Sequence, residues 1–229
     1  MLPFSTMNVV ITGASRGIGL EFCRLALAGE ARVLAVARQP GESRGLNELL
    51  GKSASALRVV QADVSRPGAS ETILTAAREW GPVDVLINNA GVYRKGETAE
   101  DFAASFAVNA VAPFQISKAL LPCLRKSSAP KLVQITSLMG SIADNASGGS
   151  YAYRASKTAL NMFNKCLAIE NDWLVAAVLH PGWVQTDMGG TGAPVTVEES
   201  VRGMWKVIQG LRRHDTGGFF DFRGKSLPW

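Results

Sequence analysis

Asn8-Val9-Val10-Ile11-Thr12-Gly13-Ala14-Ser15-Arg16-Gly17-Ile18-Gly19 joins a short β-branched run, a glycine turn and the first residues of a helical pattern. The run has the length and composition of a buried strand. Gly13 permits the tight turn, Gly17 lets main chain approach a pyrophosphate, and Gly19 lets helix and strand pack closely. The helix opening at Gly17 presents unpaired N–H groups and about half a positive charge, a seat for phosphate. A glycine triplet by itself is a weak signal. Directly after an apolar strand, with further strand–helix units behind it, it reads as a nucleotide-binding turn.

Outward from this turn the pattern alternates. Short apolar runs, each nearly continuous, cover Val9–Thr12, Arg32–Val36, Leu57–Gln61, Val83–Asn88, Lys131–Thr136 and Leu174–Leu179. Helical patterns lie between them at Gly17–Ala28, Glu42–Leu50, Ala69–Trp80, Ala99–Lys126 (one helix or two) and Ser150–Glu170. A further helix is predicted after Thr196, whose hydroxyl precedes Glu198-Glu199 as a cap, and a last strand at Gly218–Phe222. Strands alternating with helices, apolar on both faces, mean a parallel sheet covered on both sides. There is no linker, repeat or low-complexity stretch. The expected fold is α/β: one doubly wound Rossmann domain over residues 1–229, with a mostly parallel seven-stranded sheet.

Composition agrees and excludes much else. Of 229 residues, 47% are apolar and 19% charged, enough to fill a core and incompatible with disorder or coiled coil. No uninterrupted apolar run approaches the ~18 residues of a membrane span. Met1 to Met7 is too short for a signal peptide, so either methionine serves as a start and a cytoplasmic protein is expected. Three cysteines (Cys23, Cys123, Cys166) and two histidines (His180, His214) lie far apart, so neither a disulfide framework nor a metal site is expected. A net charge of +5 without a basic stripe suits an anionic cofactor better than nucleic acid.

The second strand ends Val36-Ala37-Arg38. An NAD site would want Asp or Glu here for the ribose 2′-hydroxyl. Ala37 instead leaves room and Arg38 offers a bidentate cation, as a 2′-phosphate requires, with Arg16 able to reach the same group from the other side. NADP(H) is therefore expected over NAD(H).

The chemical residues follow the fifth strand. Tyr153 and Lys157 are i and i+4, neighbours on one helical face, and the lysine charge, with the charged nicotinamide of a bound cofactor sharing the work, is expected to lower the tyrosine pKa toward neutrality. Such a tyrosine can give a proton to a carbonyl oxygen while hydride reaches its carbon. Ser137 ends the preceding strand at the carboxyl edge of the sheet, where such folds bind ligands, and can donate to the same oxygen. Asn88-Asn89-Ala90-Gly91 ends the fourth strand, and Asn109 sits within a helical pattern.

With these residues in view the chain resembles a short-chain dehydrogenase/reductase over essentially its whole length. The stretches 148–157, 180–190 and the ending from Gly218 resemble the C-factor-like branch, neighbour of the sniffer-type carbonyl reductases. The resemblance implies a catalytic set of Asn109, Ser137, Tyr153 and Lys157. It implies a cofactor groove built by Gly13, Ser15, Arg16, Gly17, Ile18 and Gly19, then by Arg38, Asp63 and Val64. Asn89, Ala90 and Gly91 follow, with Tyr153, Lys157, Pro181, Gly182, Val184 and Thr186 completing it. In that reading Tyr153 is the general acid, Lys157 lowers its pKa and binds ribose, Ser137 polarises the carbonyl, and Asn109 holds the helix bend and a water. Met139, Trp183 and Met188 are the candidate substrate wall, and the loop 143–149 is expected over the site.

The implied activity is reversible NADPH-dependent reduction of a small carbonyl compound. The alternative is a C-factor-like signalling protein in which nucleotide binding mainly supports the fold. A homodimer, or a homotetramer, is implied through the helices containing Asn109–Lys126 and Ser150–Glu170. Phe106, Ala110 and Phe114 on the first, with Tyr153, Leu160, Phe163 and Leu167 on the second, are its candidate contacts.

Overall fold

Seven short strands, each apolar on both faces, can only be dry if helices cover both sides of the sheet they form. The computed structural model describes residues 7–229 and has that architecture; Met1, one of the two candidate starts, lies outside them. The strands are β1 (Asn8–Thr12), β2 (Arg32–Ala37), β3 (Leu57–Gln61), β4 (Val85–Asn88), β5 (Lys131–Ile135), β6 (Val175–His180) and β7 (Gly218–Asp221). The helices are α1 (Gly17–Ala28), α2 (Arg44–Lys52), α3 (Ala69–Trp80), α4 (Ala99–Phe106), α5 (Ala112–Leu124), α6 (Tyr151–Glu170) and α7 (Val197–Gly210).

The sheet order is β3-β2-β1-β4-β5-β6-β7. Every neighbouring pair is parallel, so the "mostly" of the expectation becomes "entirely" for this sheet. The chain winds outward from β1 to β3 and then returns to β4 on the other side of β1. The order reverses there, and the carboxyl ends of β1 and β4 splay around a crevice. One face of the sheet packs Phe22 of α1 and Met204 and Trp205 of α7 against Val9, Ile11 and Ile87. The other packs Ile73 of α3, Ile116 and Leu120 of α5 and Leu167 of α6 against Val10, Leu86 and Leu132.

Element ends move by a residue or two where a cap or a buried bond decides them. Helix α2 starts at Arg44 rather than Glu42 because Ser43 caps it, accepting from the Leu46 N–H at 3.2 Å. The same hydroxyl donates to the Ser15 carbonyl at 2.5 Å, tying α2 to the glycine turn. Thr196 caps α7 as expected, accepting from the Glu199 N–H. The pattern Ala99–Lys126 is one continuous helical stretch: a π turn over Ala107–Val111 joins α4 to α5. That stretch, Ala99–Leu124, is long and apolar enough to cross a membrane, but Ile116, Leu120 and Leu124 are spent on the sheet's own core. The segment after β7 folds back, Leu227 donating to Phe219 and the Trp229 ring lying against that of Phe219.

Candidate active site

The crevice begins at the glycine turn. Gly13 and Gly17 have φ of +67° and +53°, a region that costs an L side chain. A Cβ on Gly13 would also lie 2.8 Å from the Ala90 Cα, and one on Gly19 would lie 2.2 Å from the Gly13 carbonyl oxygen. These glycines let β1, α1 and the end of β4 close on one another. Thr12 Oγ1 accepts from the N–H groups of Asn89 (3.0 Å) and Ala90 (3.1 Å), and Asn89 Nδ2 donates back to the Thr12 carbonyl (2.9 Å). The result is a rigid cradle below a cavity of about 470 Å³.

Most of the expected groove residues line that cavity. From the turn come Gly13, Ser15, Arg16, Gly17 and Ile18; from β2 and β3, Arg38, Asp63 and Val64; from β4, Asn89, Ala90 and Gly91. Tyr153, Lys157, Pro181, Thr186 and Met188 line it as well. Three expected residues support the wall instead of lining it. Gly19 packs on the turn, Gly182 takes a φ of +84° against the Phe222 ring, and Val184 is buried in a bridge with Val195. Of the candidate substrate wall only Met188 lines the cavity. Met139 sits in the turn after Ser137, and Trp183 lies outside, 58% exposed with its indole N–H on the Gly189 carbonyl.

At the far end Asp63 accepts from the Ser65 N–H (3.1 Å) and hydroxyl (2.7 Å). Partial burial alone would raise this carboxyl, but the Ser65 bonds, with Arg38 and Arg66 nearby, hold it below the usual carboxylate range. Arg38 thus faces the cavity as a cation beside an ionised Asp63. Arg16 has a partner that sequence spacing does not reveal: its guanidinium donates to Asp187 at 2.6 Å, across the mouth of the cleft. Both side chains are about three-quarters exposed, so the pair contributes little stability and is exchangeable.

At the near end α6 places Tyr153 and Lys157 on one face, Lys157 Nζ lying 5.9 Å from the Tyr153 ring centroid. The ammonium donates to the Ile135 carbonyl at 2.8 Å. Burial dominates both groups. It pushes the Tyr153 phenol up to about 12, against the hydrogen bond of Ser137 that acts to lower it. It also brings Lys157 down to about 8. The expected lowering of the tyrosine by the lysine charge is not among the effects acting here: burial raises Tyr153 and Ser137 is the group that lowers it, while burial alone lowers Lys157. Asn109, fully buried in the π turn, accepts from the Val92 N–H (2.8 Å) and donates to the Val92 carbonyl (2.9 Å) and to Ser156 (3.0 Å). Asn109 lies within a π turn rather than a regular helix, and its side chain clamps the segment after β4 to α6. Ser137, 9% exposed at the end of β5, accepts from the Met139 N–H.

Sequence reasoning missed several neighbours. Val92 and Val108 line the cavity, one beyond the asparagine-rich motif and the other in the π turn. Tyr93 packs edge-on against Tyr153, with ring centroids 4.9 Å apart and planes at 89°. Its position two residues past Gly91 is the one signal that could have drawn attention to it. The loop 143–149 is anchored through the Ala143 N–H to the Trp229 main-chain oxygen, and no residue of it lines the cavity.

A family model described as short chain dehydrogenase matches residues 7–194. The chain is 47% identical over 156 residues to C-signal of Myxococcus xanthus, covering 65% of this chain and 94% of that protein. It is similar to the NADPH-bound carbonyl reductase from chicken fatty liver, with a TM-score of 0.91, 36% identity, and 97% and 98% of the two chains covered. It is equally similar in shape to the carbonyl reductase Sniffer of D. melanogaster, with a TM-score of 0.93, 29% identity, and 97% and 99% covered.

Proposed function

The chain belongs to the short-chain dehydrogenase family, and on that premise we propose that it reduces carbonyl compounds with NADPH, reversibly as an alcohol dehydrogenase. The single observation that carries this reading is one continuous cavity: the glycine cradle and Arg38 at one end, Tyr153 and Lys157 at the other. The cradle fits a dinucleotide. A Cβ on Gly13 would collide with Ala90, and Gly17 keeps the start of α1 bare, so main-chain N–H groups stay open to a pyrophosphate. Arg38 suits a 2′-phosphate, with Asp63 toward the adenine, Lys157 toward a ribose, and Pro181 and Thr186 toward the nicotinamide. When bound, the cofactor supplies the hydride.

The chain's own part is the proton. Tyr153 is neutral at ordinary pH and 8% exposed, a dry acid able to donate from its phenol to a carbonyl oxygen. Ser137 stands beside that phenol and polarises the same oxygen by a second hydrogen bond. Lys157 stands behind the ring as a cation, and Asn109 keeps the segment after β4 in register with α6. Difference spectra of the purified protein with NADPH should show binding. A panel of aldehydes and ketones should then consume NADPH absorbance, and binding without consumption of any carbonyl would refute the reductase reading. A signalling protein in which the nucleotide only supports the fold has no need of Tyr153 and Lys157 lining one cavity with Ser137 beside the phenol, and that alternative is not favoured.

A cytoplasmic location and a homodimer through α5 and α6, with a homotetramer second, complete the proposal. The contacts expected for the interface need correction. Ala110, Tyr153, Leu160 and Leu167 are buried in the chain's own interior, and Phe114 and Phe163 pack on each other. Helical period alone does not tell the sheet-facing side from the outer one. The exposed apolar residues here are Val111 in the π turn and Tyr151, Met162 and Ile169 on α6, and Val111, Met162 and Ile169 support the interface instead. Light scattering at micromolar protein should give twice the 24.4 kDa chain mass. A concentration-independent single-chain mass would rule the interface out.

A further inference from the structure

We infer that Tyr93 is a positioning residue for the proton donor: it walls Tyr153 from solvent and ties the segment after β4 to the start of α6. This rests on the reading of Tyr153 as general acid. The Tyr93 hydroxyl lies 2.8 Å from Ser150 Oγ, and its ring meets the Tyr153 ring edge-on at 4.9 Å. Ser150 precedes α6 with a φ of 49°; with Glu30 it is one of two non-glycine residues of positive φ among the described residues. A serine at this place ordinarily caps its helix by accepting from a first-turn N–H. Ser150 makes no such bond. Its hydroxyl is engaged by Tyr93 instead, in a backbone region that costs an L residue energy. Local stability is given up and the link to Tyr93 is kept, which is the pattern of strain held at a working site.

The link has a counterpart. Asn109 clamps both main-chain polar groups of Val92, the residue before Tyr93, and donates to Ser156. Ser150 and Ser156 lie three residues before and after Tyr153. The same short segment is thus fastened to α6 on both sides of the catalytic phenol, through Tyr93 at one point and Asn109 at the other. The groups facing that phenol are Ser137 from the end of β5, Tyr93 from the segment after β4 and Lys157 from α6 itself. Of these, Tyr93 supplies an aromatic wall, and an edge-to-face pair fixes ring orientation as well as excluding water. A displacement of about 1 Å at a reacting group is enough to cost about a hundredfold in rate.

The test uses the full-length chain with Tyr93→Ala, Tyr93→Phe and Ser150→Gly, the last removing the hydroxyl without adding strain. Tyr93→Ala is expected to lower kcat by about 30- to 100-fold, and the other two by a smaller, mutually similar factor, with NADPH affinity within about twofold throughout. Tyr93→Phe combined with Ser150→Gly should lose no more than either change alone, because both break one bond. A second readout needs no turnover. With tyrosine labelled at the ring carbon bearing the hydroxyl, and Tyr153 assigned by its loss in Tyr153→Phe, the cofactor-free wild type should titrate at about 12. In Tyr93→Ala the titration should fall toward the ordinary value near 10, because the phenol regains water. A Tyr153 titration unmoved in Tyr93→Ala, or a kcat within about threefold of wild type, would overturn the inference. If Tyr93→Ala does not fold, Tyr93→Phe and Ser150→Gly with unchanged kcat would overturn it equally. If the wild type reduces no carbonyl, the reading of the activity fails while the titration still decides whether Tyr93 shields Tyr153.

Discussion

Tyr153→Phe is expected to lower kcat for carbonyl reduction by at least about a thousandfold, a loss of about 4 kcal/mol of transition-state stabilisation. The change deletes one oxygen and keeps the ring, so the packing against Tyr93 and the place beside Lys157 survive. NADPH affinity should stay within a few-fold, because the cradle, Arg38 and Thr186 are untouched. The direction of the pH dependence follows from burial. With its phenol pushed up to about 12, Tyr153 holds its proton throughout the neutral range, so the uncharged acid is available for reduction. Alcohol oxidation needs the phenolate and should rise with pH over the alkaline range. Tyr151→Phe is the control. Tyr151 is 58% exposed, lines no part of the cavity and has Ala155 four residues on, so turnover should stay within about twofold. Full activity in Tyr153→Phe together with its loss in Tyr151→Phe would reverse the assignment of the acid.

Arg38→Asp should shift cofactor choice by the next largest margin. The wild type is expected to bind NADPH at least about tenfold more tightly than NADH, since contacts from a guanidinium to a phosphate are worth about 1.5 kcal/mol or more each. Reversing the charge at Arg38 removes the attraction and adds repulsion, and should bring the preference to parity or invert it. Arg38 carries most of this effect because it faces the cavity directly, beside Asp63. Arg16 must first exchange Asp187 for the phosphate, so Arg16→Ala should cost less. Fluorescence titration of both nucleotides against wild type and variants measures each value. Equal affinity of the wild type for NADPH and NADH would sink the assignment to Arg38.

The alternation of strands and helices was legible in the chain because each strand is a continuous apolar run and each helix a period near 3.6, both local properties. The glycine turn was legible because its three glycines recur at fixed spacing directly after an apolar strand and at the start of a helix, although the close contacts that require them come from Asn89, Ala90 and Thr186 as well. Tyr153 and Lys157 were legible as a pair because i and i+4 share a helix face whatever lies beyond it. Helix ends were less so: the start of α2 depends on Ser43, whose partners are Leu46 nearby and Ser15 in the glycine turn.

What joins distant segments was decided only by the tertiary fold. Asp187 meets Arg16 across 171 residues of chain, and no period or spacing encodes that meeting. Met139 and Trp183 stand near the ends of strands, as Met188 stands near β6, yet only Met188 turns into the cavity. Tyr93 carries no pattern that marks it, and it gains its meaning from the ring of Tyr153 and the hydroxyl of Ser150. The protonation of Tyr153 shows the difference most directly. Sequence placed a lysine beside it and led to the expectation of a lowered pKa; burial in the fold removed water and raised it. A pair interaction can be read from two positions in a chain, whereas desolvation is a sum over everything that the fold brings around them.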